Sequence, residues 1–408
     1  MKRSKAEVRD ELLKIDTRFK DGNDDIGVDS FASFLTTKGK FPSNKKIGDY
    51  FKERGIVDFT PNDFQSSNSK SKKSKSTDSS KPLFDNDLFA FPDDFFNEDE
   101  FKNDYMFVGL NAAYRSGDKN YSGWGNFRDV DRPTNTYKLY VQINDKSNDE
   151  FDDKLANKGR FNGSYVTDII KSYTDSNAGK VMRNFFIKDD EVSFLNHPES
   201  TPTLDDERVD RLIIGYYQDE LVKAKDMLKK VKDDYKNKKV YPDPDKNYKL
   251  KKSIAPKRST LLKLCVENKK TLDNSLDIFI QECLIVQPKW LVVFGSDANV
   301  VLSKMVESDY FKSKVDKIKS KNKQCQFDVM DLLKNRRVEV THYATQSVPL
   351  KKYKKGSGDK KKNKDSEEEK RGYKFRDWFN YAPDELITKL DELKEKEELR
   401  QQTESNNK

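Results

Sequence analysis

Histidine and cysteine are nearly missing from this chain: 408 residues hold three cysteines and two histidines, His197 and His342. Cys265, Cys283 and Cys325 are odd in number and widely spaced, with no CxxC pair and no His-rich tract. That excludes a disulfide framework, a zinc site of ordinary ligand spacing and an iron–sulfur cluster, and no cofactor is expected. The three thiols read as small buried fillers. No apolar run reaches the roughly 18 residues of a membrane span. The opening MKRSKAEVRDELLK is charged throughout and has no apolar h-region. The expectation is a cytoplasmic protein without membrane contact. A phosphate loop of the form GxxxxGK[ST] is absent, which argues against an NTPase. GSGD at 356–359 lies in a lysine-rich tract and reads as linker. His197, in LNHPES, reads as part of a turn, so a Ser–His–Asp triad would need His342 to serve every role.

Charge is plentiful instead. Charged residues make up 37% and hydrophobic ones 34%, with a mean hydropathy of −0.98. This balance implies one packed core carrying sizeable solvated additions. The 79 Lys and Arg against 71 Asp and Glu leave a net charge of +8, compatible with phosphate partners but only mildly basic. Residues 1–64 read as a small, mostly helical region that leans on the main domain, and 65–82 as a disordered Ser/Lys linker. Acidic, phenylalanine-rich sequence from Leu83 to Phe101 then opens a domain running to 350, as a strap over the core or a mimic of DNA charge. Residues 351–370 are low-complexity, with nine lysines against five acids. They form a solvated tail or a basic arm for phosphates. Residues 371–408 hold a charged amphipathic helix and tail.

Four apolar runs inside the domain read as buried strands: YMFVGL from Tyr105, GSYVTDIIK over 163–171, WLVVFG from Trp290 to Gly295, and RVEVTHY from Arg337 to Tyr343. Helices are expected between them, from about Leu204, through Leu276 to Leu284 before Pro288, and from near Asp297, with a helical insertion over about 190–260. Strands alternating with helices predict a three-layer α/β/α fold around a mainly parallel four-stranded sheet. In such sheets ligands gather beyond the carboxyl ends of the strands, here Asn111, Asp168, Ser296 and His342.

Two segments at those ends carry chemistry. VGLNAAYRSGDKNYSGWGNFRD places the Asn111 carboxamide at a strand tip beside Tyr114, Trp124 and Phe127, rings able to stack on a planar base. VEVTHYATQS brings His342 to a hydroxyl-rich loop. Either residue alone also fits a structural role, Asn111 as a turn-capping amide. In order along the chain, the Gly109-Leu110-Asn111 turn, the Tyr-Val-Thr-Asp segment at 165–168 with Lys171, the helix into QPKWLVVFGSDA at 287–298, and the His342 loop resemble the uracil-DNA glycosylase superfamily over about 105–350. The likeness is greatest to divergent bacterial and phage members. Ala112 stands where a proline is usual, and His342-Tyr343-Ala344 replaces His-Pro-Ser.

The resemblance implies a DNA glycosylase that extrudes a uracil-like or modified base into a pocket and hydrolyses the N-glycosidic bond. On that carry-over Asn111 orients the attacking water, and His342 hydrogen-bonds the base carbonyl as charge builds on the leaving group. Gly109, Tyr114, Trp124, Phe127, Asp168 and Tyr343 would bind the base, with Trp124 or Phe127 as the stacking ring and Tyr343 filling the pocket or acting as a wedge. Asp168 and Lys171 would line the pocket or hold its wall. Lys171, Ser347, Lys351 and Lys352 would contact the nucleic-acid backbone. The partner is expected to be nucleic acid, in the first instance DNA. Three alternatives stand beside it: a nucleic-acid-binding protein without catalysis that uses the same cleft, a nucleotide or small-molecule module on the same sheet, and a scaffold built on the acidic aromatic strap.

Overall fold

The computed structural model describes residues 3–36, 38, 90–97, 100–113, 123–128, 133–143, 160–173, 177–186, 193–196, 201–216, 257–321, 326–343 and 375–406. Helix α1 (Lys5–Leu12) starts the chain, its first turn closed reciprocally by Ser4 and Glu7. A short hairpin follows, β1 (Lys20–Asp21) with β2 (Asp24–Asp25), then the two-residue strand β3 (Ser33–Phe34). The central elements are β4 (Tyr105–Ala113), α2 (Pro133–Gln142), β5 (Tyr165–Tyr173), α3 (Ala178–Phe185) and α4 (Arg258–Val286). They continue as β6 (Trp290–Phe294), α5 (Ser296–Glu307), α6 (Asp309–Lys321), α7 (Val329–Asn335), β7 (Arg337–Val340) and α8 (Phe375–Asn406).

The chain is α/β. Its main sheet has five strands in the order β3-β5-β4-β6-β7. The four strands expected from the sequence run parallel to one another, and β3 adds an antiparallel edge beside β5. Met106, Phe107, Val108, Leu291, Val292 and Val293 are all fully buried, as parallel strands covered on both faces require. One face packs on α1, α3, α4 and α5, around Met106, Tyr165, Leu276, Phe279 and Val293. The other carries Phe107, Val166, Val292, Phe294 and Val340 against Leu139 of α2 and Leu386 and Leu390 of α8. α4 presents Leu272, Leu276, Phe279, Cys283 and Val286 at three- and four-residue spacing. It ends at Gln287, whose left-handed backbone (φ 49°) turns the chain into Pro288.

Three expectations change. The N-terminal segment is part of the same core rather than a small helical unit beside it: Val8, Leu12, Phe31 and Phe34 are buried, and β3 extends the sheet. β4 continues past Asn111 to Ala113, paired with β5 through a register shift between those residues, so Asn111 lies within the strand, not at the tip of a turn. The C-terminal helix is no appendage, since α8 forms part of the roof over one sheet face. The aromatic strap is in place where it is described: Phe91, Phe95 and Phe96 surround Phe34 at ring separations of 5.1–6.4 Å. Of the expected helical insertion, 207–216 is helical and buries Val209 and Leu212, while 217–256 lies outside the described residues. The 65–82 linker and the 351–370 tract also lie outside them.

Candidate active site

The carboxyl edge of the sheet gathers several polar groups under α2. In the β4–β5 ladder Gly109 is directly opposite Asp168, and side chains there share the face of Phe107 and Val166. The Asp168 carboxyl leans over Gly109: a Cβ at residue 109 would meet Asp168 Oδ1 at 2.0 Å. Glycine is therefore required here to make room for the acid. Asp168 is 3% exposed. Burial pushes its carboxyl up to about 7, opposed by the nearby Lys171 ammonium and reinforced by Glu282. Asn111 follows two residues beyond Gly109, half-buried and in register with Ile170.

His342 stands two residues beyond the end of β7 and packs on Gly295, whose backbone at φ 88° brings the two chains together. Its ring stacks on Tyr343 at 4.4 Å, and Tyr343 in turn meets Phe294 edge-on at 5.2 Å. Burial, and then the charge of Lys138, lower the imidazole to about 4, so His342 is neutral at neutral pH. Lys138 itself is 2% exposed on the inner side of α2, and burial brings its ammonium down to about 8. The backbone that presents His342 is fixed from both covering helices. Gln142 Nε2 of α2 donates to the Thr341 carbonyl at 2.7 Å, and the Thr341 N–H donates to Glu385 Oε2 of α8 at 2.9 Å.

Behind Asp168, on the α4 side, lies a closed ionic network. Lys171 Nζ meets Glu282 Oε2 at 2.8 Å with both side chains fully buried. The hydroxyls of Tyr165 and Thr167 donate to Glu282 Oε1 at 2.8 and 2.9 Å, and Lys171 also donates to the Asp168 carbonyl. Each charge is compensated inside the protein, as burial demands. Lys171 therefore cannot reach a nucleic-acid backbone, and that expectation is corrected. It holds the wall behind Asp168.

Trp124 is corrected as well. It is 5% exposed and lies among Phe34, Phe96 and Tyr165 at 5.1–6.5 Å, in the core on the face opposite Asp168, so it offers no ring to a ligand. Phe127 is half-buried on the Asp168 face. Tyr114, Ser347, Lys351 and Lys352 lie outside the described residues, as does His197. The sequence reading missed Lys138, Gln142 and Glu385. A helical repeat does place Lys138 and Gln142 one turn apart, the signal that could have revealed the first two.

A cavity of about 350 Å³ opens at the opposite, amino-terminal edge of the sheet, between Arg3, Asn103, Asp104, Gln287 and Lys289. Lys289 pairs there with Asp104 at 2.7 Å and Arg3 with Glu11 at 2.5 Å, and the Asp104 carboxylate raises the Lys289 ammonium. Among the described residues no cluster of His, Cys, Asp and Glu could hold a metal ion, and no helix is long and apolar enough to cross a membrane. Cys265 and Cys283 are buried free thiols; burial pushes both upward, which keeps them unreactive. No protein-family model, curated protein or solved structure matches the chain.

Proposed function

We propose that this protein is a uracil-DNA-glycosylase-like enzyme that flips a uracil-like or modified base out of DNA and hydrolyses its N-glycosidic bond. The observation that carries the reading is that Asn111, a buried titrating Asp168 and a neutral His342 all lie toward the carboxyl ends of strands of one mainly parallel sheet. Each has a part in that chemistry. A neutral imidazole donates an N–H to the base carbonyl, where negative charge accumulates as the bond to the sugar breaks. Such a donor contributes roughly 2.7–4 kcal/mol when preorganised in a sheltered site. The Asn111 carboxamide orients the water that attacks the sugar carbon. Asp168 accepts the proton that water gives up, since a carboxyl near 7 is balanced between its two forms at working pH. Phe127 and Tyr343, half-buried on the same face, supply ring surface for a planar base.

The test is base release from labelled single- and double-stranded oligonucleotides containing uracil, hypoxanthine or modified cytosines, with abasic sites revealed by alkali. Release lost in Asn111→Ala, Asp168→Asn and His342→Ala supports the reading. Salt-sensitive binding with no release from any substrate overturns catalysis and leaves a nucleic-acid-binding protein.

A further inference from the structure

Lys138 has no part in the hydrolysis just described, yet it is built into the same site. It projects from α2 at a position one helical turn before Gln142, the residue that grips the Thr341 carbonyl. It is therefore directed at the segment that carries His342, and its charge is felt by that imidazole. Leu139, Tyr140 and Ile143 bury the helix around it. A lysine enclosed in this way is uncommon, because an ammonium loses its hydration on burial. The consequence is chemical: burial brings the amine to about 8, so a share of it is unprotonated near neutral pH, as an attacking amine must be.

We propose that Lys138 is an amine nucleophile of this site, forming a Schiff base with the ring-opened C1′ aldehyde of an abasic deoxyribose and so allowing the chain to nick the strand. The inference rests on the base-excision reading of the same site. The steps balance without an oxidant or reductant. The neutral Nζ adds to the aldehyde carbon, and the resulting carbinolamine expels one water to give the iminium. A C2′ proton then passes to a carboxylate, for which Asp168 is the titrating group on this sheet edge. The C3′–O bond breaks, and its electron pair leaves with the 3′ phosphate. One water hydrolyses the conjugated imine and returns the free lysine.

The experiment incubates the full chain with an oligonucleotide carrying a preformed abasic site, adds sodium cyanoborohydride, and maps the reduced adduct by peptide mass spectrometry. Mapping is done on the unmodified chain, so it does not depend on any variant folding. The expected result is an adduct on Lys138, reduced at least about tenfold in Lys138→Arg, with circular dichroism confirming that this variant is folded. Adducts confined to other lysines, undiminished in Lys138→Arg, or altogether absent overturn the proposal. Because the aldehyde is supplied ready-made, trapping on Lys138 without base release leaves this inference standing and removes the hydrolytic one. Base release without trapping does the reverse.

Discussion

The Oδ1 atom of Asp168 occupies space that a side chain on Gly109 would need, 2.0 Å from where its Cβ would lie. Gly109→Ala must therefore displace the carboxyl or spread β4 from β5, at an overpacking cost of about 1–3 kcal/mol. In an Asp168→Ala background the same substitution should cost much less, because the obstructing oxygens are gone. Chemical denaturation of the four proteins of this cycle measures the coupling, expected at about 0.5–3 kcal/mol. Equal costs in both backgrounds would show that the two residues do not compete for space.

The pair Lys171–Glu282 gives a second expectation. Both side chains are fully buried, so Lys171→Met strands a carboxylate and should destabilise the fold by about 3–5 kcal/mol. Adding Glu282→Gln removes the stranded charge while leaving an acceptor for the Tyr165 and Thr167 hydroxyls. The double variant should recover more than half of the loss in urea denaturation. Were the double variant as unstable as the single one, the charge would not be the cause.

Asp168 and His342 should pull the stability–pH curve in opposite directions. A carboxyl raised from 3.8 to about 7 binds its proton more tightly in the folded chain. Its contribution is fully present below about 4 and is lost as pH rises through 7, about 4 kcal/mol in all. An imidazole lowered from 6.5 to about 4 resists protonation in the folded chain. Its contribution is present above 6.5 and is lost as pH falls through 4, about 3 kcal/mol at most. The unmodified protein should show a flattened profile between pH 4 and 7, the interval bounded by these two groups. Asp168→Asn should lose stability on acidification and His342→Gln on alkalinisation, read as denaturation midpoints at several pH values.

How far the sequence reveals this arrangement depends on how local the signal is. β4, β5, β6 and β7 are visible as apolar runs because both faces of a parallel sheet are covered. β3 is not, since Ser33–Phe34 is two residues long and has no period to detect; only its pairing with β5 makes it a strand. Asp168 and His342 follow from the strand-end rule. Lys171 is misread as a surface cation because lysine is seldom fully buried, and its partner Glu282 is 111 residues away. Trp124, flanked by glycines in a polar loop, has the composition of an exposed ring. It enters the core because Phe34, a residue from the N-terminal segment, stands 5.1 Å from it. Lys138 goes unnoticed because α2 mixes buried polar residues, Thr136 and Gln142 among them, into its inner face.

The scarcity of histidine makes the electrostatics of the site directly measurable. With two imidazoles in the chain, a nuclear magnetic resonance titration assigned with His342→Gln should find His342 near 4. Lys138→Met removes the opposing charge and should move that value upward, toward the ordinary 6.5. A His342 that already titrates near 6.5 in the unmodified protein would mean that the site is open to water, and the sheltered setting from which the proposed donor draws its strength would be lost.

The same resonance reports on α8. Glu385 is 8% exposed and accepts the Thr341 N–H at 2.9 Å. Against the opposing pull of burial, the Lys389 ammonium and the Thr341 N–H hold its carboxyl below the usual carboxylate range. Glu385→Ala leaves a sheltered N–H without its acceptor and should cost about 1–3 kcal/mol; Glu385→Gln, which keeps an acceptor oxygen, should cost less. Because residue 341 precedes the histidine, loosening it admits water beside the ring, and the His342 titration should rise in the alanine variant but little in the glutamine variant. A stability loss with no change at His342 would assign Glu385 to anchoring the helix alone. Movement of both would make the C-terminal helix part of what keeps His342 neutral, although α8 begins 35 residues after the end of β7.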